Sequence, residues 1–550
     1  MLNLSYYFGG KAMTLLKDTP TQTTTFTHRK AYQKLKSLAK APFDLTKEGN
    51  LNPQRLSKFV AEAAGYRFIY GTERITEETM TALHELAIET GALHKMERMQ
   101  AGDVMNFIEG FPCENRETLH TAVRDFFDHP NTSKRAIEAA KMARAETEKL
   151  KQFLNKVDKE KKYTNLIVIA IGGSDLGPRA QYEGLKHLQR EDRHVHFVGN
   201  IDPDTAAAAL KNVDLKKSLV AVVSKTGTTL ETKSNEEFVK SYFTKAGLKP
   251  EEHFIAITSE GSPMDDKTKY LEVFHLWDWV GGRFSASSVI GGFLIAFACG
   301  FDTYWEYLRG AHAMDLSALS KDLNSNLPLL GALLGIWNRN FLGLQTLAVV
   351  PYSQALHRYA AHIQQVDMES NGKQIDQQGH YIDFETGPIV FGEPGTSAQH
   401  SFYQLIHQGT TPVPLELIGY KESTIGKDNT YNGTTLQEKL LANLFAQAIA
   451  LATGHPDTNP NKSFPGNRPS HLLLAKQLTP FSLGALLAYF EHKVVFQGFI
   501  WGINSFDQEG VQLGKVLANK IIGRFADQHG KGTSESYPLG DAYLAHLKTL

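Results

Sequence analysis

The sequence predicts an α/β protein of two successive layered units with mainly parallel sheets, preceded by a helical region and closed by a C-terminal tail. Three observations carry this. Short, continuously apolar runs alternate with amphipathic helical segments from about residue 166 onward. A second, sparser series of such runs follows Trp337. The chain before about Leu150 is rich in Glu, Ala, Leu and Lys at helical spacing, as in TEETMTALHELAIET and TSKRAIEAAKMARAETEKLKQFL.

The first series is Leu166–Ile171 (LIVIAI), His196–Val198, Leu219–Val223 (LVAVV), Phe254–Thr258 (FIAIT) and Val273–Leu276. Such runs suit strands covered on both faces by helices. Ser288–Phe301 (SVIGGFLIAFACGF) falls short of the roughly 18 apolar residues a membrane span needs and reads as a buried helix. The second series is Leu347–Val350, Ile389–Phe391 and Leu415–Ile418. Polar stretches at Asn371–Gly387, Lys421–Thr434 and His455–Ser470 read as loops, and the end from about Lys520 as a tail packed over the body. No sequence-level repeat ties the two series together.

Composition narrows the function classes. The 550 residues are 42% apolar and 21% charged, those of a globular protein, and 58 basic against 59 acidic residues leave a formal charge of −1. That balance argues against a nucleic-acid binder, and no run argues for a membrane protein. Two distant cysteines, Cys113 and Cys299, exclude a disulfide framework or a cysteine zinc site and suit a reducing compartment, expected to be the cytoplasm. The first twenty residues lack an apolar signal-peptide core, and Met13 is an alternative start to Met1. The turn after the first strand, IGGSDLG, is not a dinucleotide fingerprint, and no phosphate-binding P-loop, zincin or hydrolase-elbow motif occurs. His194 and His196 share a strand face without a third metal ligand nearby. The expectation is a reaction without metal or cofactor.

Five stretches carry chemistry. Ser224-Lys225-Thr226-Gly227-Thr228-Thr229 lies between the LVAVV strand and a helical segment, where hydroxyls, backbone N–H groups and a helix N-terminus suit a phosphate. The plainer alternative is a Ser or Thr that only caps the helix. Gly172-Gly173-Ser174-Asp175 is a second such turn, also at the carboxyl end of a strand. In Gly281-Gly282-Arg283-Phe284-Ser285 the glycines permit close approach and Arg283 suits an oxyanion; a tight turn with a surface arginine is the alternative. Gln364 to Lys373 (QQVDMESNGK) ends a helical segment, placing Glu369 in a last turn whose dipole disfavours negative charge, as suits a proton acceptor. A solvated helix-end glutamate stays open. His400 and His407 in EPGTSAQHSFYQLIHQGT, and Gln508 and Lys515 in FDQEGVQLGK, are each seven residues apart, one helical face if helical.

Together IGGSDLGP, SKTGTTLET, VGGRFSASSVIG, QQVDMESNGK, EPGTSAQHSFYQLIHQGT, FPGNRPS and FDQEGVQLGK closely resemble the phosphoglucose isomerase (glucose-6-phosphate isomerase) family, in the family's order from Ile171 to Lys515. The resemblance implies two sugar-isomerase (SIS) αβα sandwich domains. It divides the chain into a helical region over 1–120 packing on the second domain, SIS domains over 121–300 and 301–520, and a tail over 521–550. It implies interconversion of D-glucose 6-phosphate and D-fructose 6-phosphate through ring opening and a cis-enediol(ate), in glycolysis and gluconeogenesis. It also implies no cofactor and a homodimer with active sites at the subunit interface. Residue by residue, it assigns the phosphate to Ser224, Thr226 and Thr229 with backbone around Lys225, and the pocket wall to Gly173 and Ser174. Ring opening falls to His400 helped by Lys515, proton transfer to Glu369, charge stabilisation to Arg283, and substrate contact to Gln365 and Gln508. A non-catalytic SIS-fold sugar-phosphate sensor and a dual-specificity enzyme that also takes mannose 6-phosphate are the rival readings.

Overall fold

The computed structural model describes residues 26–532 and 534–550, so the N-terminal segment weighed for a leader, with Met13, lies outside the described residues. The chain packs as two compact units that divide between Ser505 and Phe506.

The first unit holds two large sheets. One contains five parallel strands in the spatial order His194–Val198, Asn165–Ile169, Ser218–Val223, Phe254–Ser259, Glu272–Leu276. Asn165–Ile169 and Ser218–Val223 are buried at every position, as their unbroken apolar runs require. The other has six strands in the order Val60–Ala63, Tyr66–Ile69, Ser470–Gln477, Leu415–Glu422, Thr346–Pro351, Ile389–Phe391. Its last four are mutually parallel, and the first two form an antiparallel hairpin on Ser470–Gln477. Numbered along the chain, both parallel arrays begin 2-1-3-4. Crossover connections of one hand generate that order, and a crevice opens at the carboxyl ends beside strand 1.

The apolar run Ser288–Phe301 contains the helix Val289–Cys299, with every residue through Ala298 buried. Helix Phe301–Ser317 then packs along Pro480–Trp501. The axes come close because glycines face backbone. A Cβ on Gly310 would lie 1.8 Å from Phe481 O, and one on Gly484 1.9 Å from Tyr307 O.

Several expectations need correction. The stretch before Leu150 is not helical throughout, since Val60–Ala63 and Tyr66–Ile69 extend the second sheet. Ser470–Gln477 is a full strand between two partners. His400 and His407 do not share one helix: Gly395–Gln399 ends at His400, and Tyr403–Gln408 begins after Phe402, whose φ of −117° and ψ of 1° interrupt the ladder. Gln508, at φ −150° and ψ 45°, precedes the helical turn Glu509–Val511 and helix Gln512–Gln528, so Gln508 and Lys515 share no helical face either. That helix runs unbroken through Lys520, where the tail was expected to begin. The second unit pairs it with helix Pro538–Leu547, joined by Arg524 Nε to Asp541 Oδ1 at 2.7 Å.

Candidate functional site

The first sheet's carboxyl ends gather the turns read from the sequence. Gly172–Ser174 follows the strand Asn165–Ile169, and Ser224–Thr229 follows its neighbour Ser218–Val223, so the two flank the point where strand order reverses. Beyond the first turn, Asp175 is tied to Arg179 at 2.7 Å.

Thr229 stands at the N-cap of the helix Leu230–Lys245, yet its side chain makes no capping bond. Its hydroxyl instead meets Ser224 Oγ at 3.0 Å, and Thr226 Oγ1 meets Thr228 Oγ1 at 2.8 Å. This decides against simple capping: the hydroxyls are turned toward each other across the loop, and the helix's first N–H groups remain for an anion. Lys225 contributes differently from a phosphate clamp. Its Nζ donates to the carbonyls of Asp278 and Val280, each at 3.0 Å, and lies 3.6 Å from Asp278 Oδ1. Burial, with Arg116 nearby, draws this amine down to about 8. Lys225 therefore ties the hydroxyl loop to the strand end leading into Gly281-Gly282.

That next turn, Gly282–Phe284, packs directly on Gly172–Ser174. A Cβ on Gly173 would lie 2.3 Å from Gly282 C, so glycine is required for the two backbones to meet. Arg283 is 3% exposed, Nε donating to Ser370 Oγ and Nη2 to Ser505 O, both at 2.6 Å. It is a fixed, buried cation and not a surface arginine on a tight turn.

Glu369 completes the group. The helix Tyr359–Gln364 continues as a π-turn, Gln365–Glu369, and ends at Asn371. Such widened turns recur at functional sites because they re-aim the side chains they carry. Here Glu369 Oε2 lies 3.7 Å from Arg283 Nη1 with its side chain 23% exposed, a carboxylate open to a ligand from one side. Gln365 borders Gly172, and its buried Oε1 has no hydrogen-bond partner among the described residues. Asn371 anchors the turn, donating to Val494 O at 3.0 Å and accepting from Ser505 Oγ at 2.8 Å.

Arg283 and Gln365 thus adjoin the turn that holds Gly173 and Ser174, Glu369 adjoins Arg283, and Ser224, Lys225, Thr226 and Thr229 lie on the turn after the neighbouring strand. His400 stands on the exposed surface beyond the strand Ile389–Phe391. His407 is engaged elsewhere, 2.7 Å from Gln447 Oε1. Gln508 and Lys515 belong to the second unit. Ser370, Asn371 and the two carbonyls that hold Lys225 went unassigned in the sequence, although the first two lie inside QQVDMESNGK. Among the described residues no group of three or more His, Cys, Asp or Glu side chains is arranged to hold a metal ion.

Known proteins are similar to this chain along most of its length. A family model described as phosphoglucose isomerase matches residues 69–537. A glucose-6-phosphate isomerase of Protochlamydia amoebophila is 60% identical over 528 residues, 96% of this chain and 98% of that protein. One of Chlamydia abortus is 51% identical over 498 residues, 90% of this chain and 94% of that protein. The crystal structure of a glucose-6-phosphate isomerase from Chlamydia trachomatis matches with a TM-score of 0.91 at 46% identity, covering 96% of this chain and 100% of that one.

Proposed function

This chain belongs to the phosphoglucose isomerase family, and we propose that Glu369 and Arg283 carry its proton transfer across the cleft at the carboxyl ends of the first sheet. The chain is an aldose–ketose isomerase that interconverts D-glucose 6-phosphate and D-fructose 6-phosphate, a step of glycolysis and gluconeogenesis. The carboxylate of Glu369, 3.7 Å from a buried and immobile guanidinium, is the observation that supports the assignment.

The division of work follows from the chemistry. Ser224, Thr226 and Thr229 would exchange their mutual hydrogen bonds for bonds to the substrate phosphate, with N–H groups of the helix start. Lys225 would keep the loop in place from its seat on the Asp278 and Val280 carbonyls. Gly173, Ser174 and Gln365 would line the sugar. His400, with Lys515, would protonate the ring oxygen to open the pyranose, and Gln508 would contact the open chain. Glu369 would then take the proton from C2 and return it to C1, and Arg283 would hold the negative oxygen of the enediolate.

The exposure of His400 supports a site completed where two copies of the chain meet, as a homodimer with interfacial active sites requires. Sedimentation at assay concentration is expected to show a dimer. A monomer with full turnover would remove the interface from the mechanism. With its two widely separated cysteines, the chain is assigned to the cytoplasm.

The phosphate loop has its own test. Ser224→Ala combined with Thr226→Ala is expected to raise KM for either hexose phosphate by about 10²-fold, from two charge-assisted bonds at about 1.5 kcal/mol each. The drop in kcat should be much smaller. An unchanged KM would place phosphate recognition elsewhere.

A further inference from the structure

Arg283 is held from two sides, and the two supports meet again outside the cleft. On one side Ser505 O accepts from Arg283 Nη2 at 2.6 Å. The preceding residue, Asn504, is 2% exposed and donates through Nδ2 to Asn106 Oδ1 at 2.8 Å. Asn106 is fully buried, and its own Nδ2 donates to Glu114 Oε2 at 2.6 Å. The same carboxylate oxygen accepts from Arg116 Nε at 2.7 Å and lies 2.6 Å from Arg116 Nη2.

On the other side, backbone runs from Arg283 through Gly282 and Gly281 to Val280, and three successive carbonyls are taken there. Asp278 O accepts from Arg116 Nη1 at 2.6 Å and from Lys225 Nζ at 3.0 Å. Trp279 O accepts from Leu119 N at 2.9 Å, and Val280 O from Lys225 Nζ at 3.0 Å. The supports therefore close into one ring, from Arg283 through Ser505, Asn504, Asn106, Glu114, Arg116 and Asp278 back along the chain to Arg283. Lys225 fastens the phosphate loop to that ring.

Asn106, Glu114 and Arg116 belong to one hairpin. Val104–Asn106 pairs antiparallel with Arg116–Glu117 as a two-stranded sheet apart from the two large ones. Strands this short hold no place by themselves. Gln377 seats them: its carbonyl accepts from Glu109 N at 2.8 Å, its Nε2 donates to Met105 O at 3.2 Å, and its N–H donates to Gly502 O at 2.8 Å. The charges also balance locally. Arg116 and Lys225 bring two cations to the Asp278 carbonyl, with Glu114 against the first and Asp278 Oδ1 3.6 Å from the second. A guanidinium suits this corner, since its rigid fork serves the carboxylate and the carbonyl at once.

An open-chain hexose 6-phosphate carries its phosphate at one end and its reacting carbons at the other. The first is gripped after the strand Ser218–Val223, and the second lies at Glu369 and Arg283, so the distance between these points decides whether the bound sugar is placed to react. We propose that Arg116 is a positioning residue that closes the ring and thereby sets the distance from the phosphate loop to Arg283. It acts through the Asp278 carbonyl and Lys225. The inference rests on the roles given above to the phosphate loop and Arg283.

Arg116→Met in the full-length enzyme tests it. The kcat for both hexose phosphates is expected to fall about tenfold, the effect of a displacement of a fraction of an ångström. KM, and the Ki of inorganic phosphate, a competitor that needs only the loop, should stay within about twofold of wild type. Glu114→Ala opens the ring one bond earlier with Arg116 in place, at a side chain 37% exposed that the fold can spare, and should give the same pattern. A ring already open loses little to a second cut, so the double variant should lose no more kcat than the worse single one. Wild-type kcat in Arg116→Met, a raised phosphate Ki in it, or additive losses in the double variant would overturn the proposal. Ser224→Ala with Thr226→Ala, assayed alongside, raises the phosphate Ki if the loop grips phosphate. An unchanged Ki there removes the loop reading itself, and the proposal with it.

Discussion

Glu369→Gln is expected to cut kcat by about 10² to 10⁴-fold while KM stays near wild type. The amide preserves the shape of the side chain and accepts hydrogen bonds through one oxygen, but it cannot take a proton from carbon. At 3.7 Å and an effective dielectric near 20, the attraction between Glu369 and Arg283 is about 4 kcal/mol. If that attraction served only the resting carboxylate, it would weaken the base. It does not, because the negative charge leaves Glu369 and appears on the substrate oxygen in the same step, still beside the guanidinium. Arg283 is held by Ser370 Oγ and Ser505 O throughout, so little reorganisation accompanies the transfer. Ground-state binding rests on the phosphate loop and should survive the substitution. Single-turnover measurements with both hexose phosphates check this, and a variant with near wild-type turnover would strip Glu369 of its role.

The parts of this site that sequence revealed are those whose chemistry is local. The three inner strands of the first sheet are legible because burial on both faces writes a nearly unbroken apolar run. The turns after them are legible because glycines and hydroxyls cluster where backbone must meet an anion. What failed depends on partners far along the chain. The hairpin Val60–Ala63 and Tyr66–Ile69 has strands of four residues and becomes sheet only by pairing with Ser470–Gln477. That partner, SHLLLAKQ, is rich in good helix formers and is held extended by neighbours on both sides. The shared 2-1-3-4 order of the two sheets is a property of pairing, which no residue-level repeat records. The part played by the Lys225 side chain is hidden, because nothing local reveals that two carbonyls more than fifty residues away take its donors.

Arg124→Met is expected to destabilise the protein by about 3 to 5 kcal/mol at neutral pH, the cost of leaving buried carboxylates without their cation. Arg124 is fully buried at the end of the turn His120–Arg124. Its Nε and Nη2 grip both oxygens of Asp315 at 2.8 Å, and Nη1 donates to Ser287 Oγ at 2.9 Å. Glu491 Oε2 also lies 2.8 Å from Nη2, but out of line for a hydrogen bond, so its attraction is mainly electrostatic. His492 Nε2 meets the same Asp315 at 2.6 Å. Burial pushes Glu491 up to about 7 even with the arginine present, whereas Asp315, despite burial, is held far below the usual carboxylate range by Arg124. Removing the guanidinium releases Asp315 from that hold, and both acids then favour their protonated forms. The sign follows: with raised folded values, they cost stability above the unfolded carboxylate range and recover it as pH falls and protons bind. The loss in Arg124→Met should therefore shrink between pH 7 and pH 5, the reverse of what an ion pair broken by acid would give. Adding Glu491→Gln to Arg124→Met should restore part of the loss at pH 7, since one of the two stranded charges is gone. Urea unfolding of the two variants and wild type at both pH values measures this, and a loss independent of pH would make Arg124 a packing residue only.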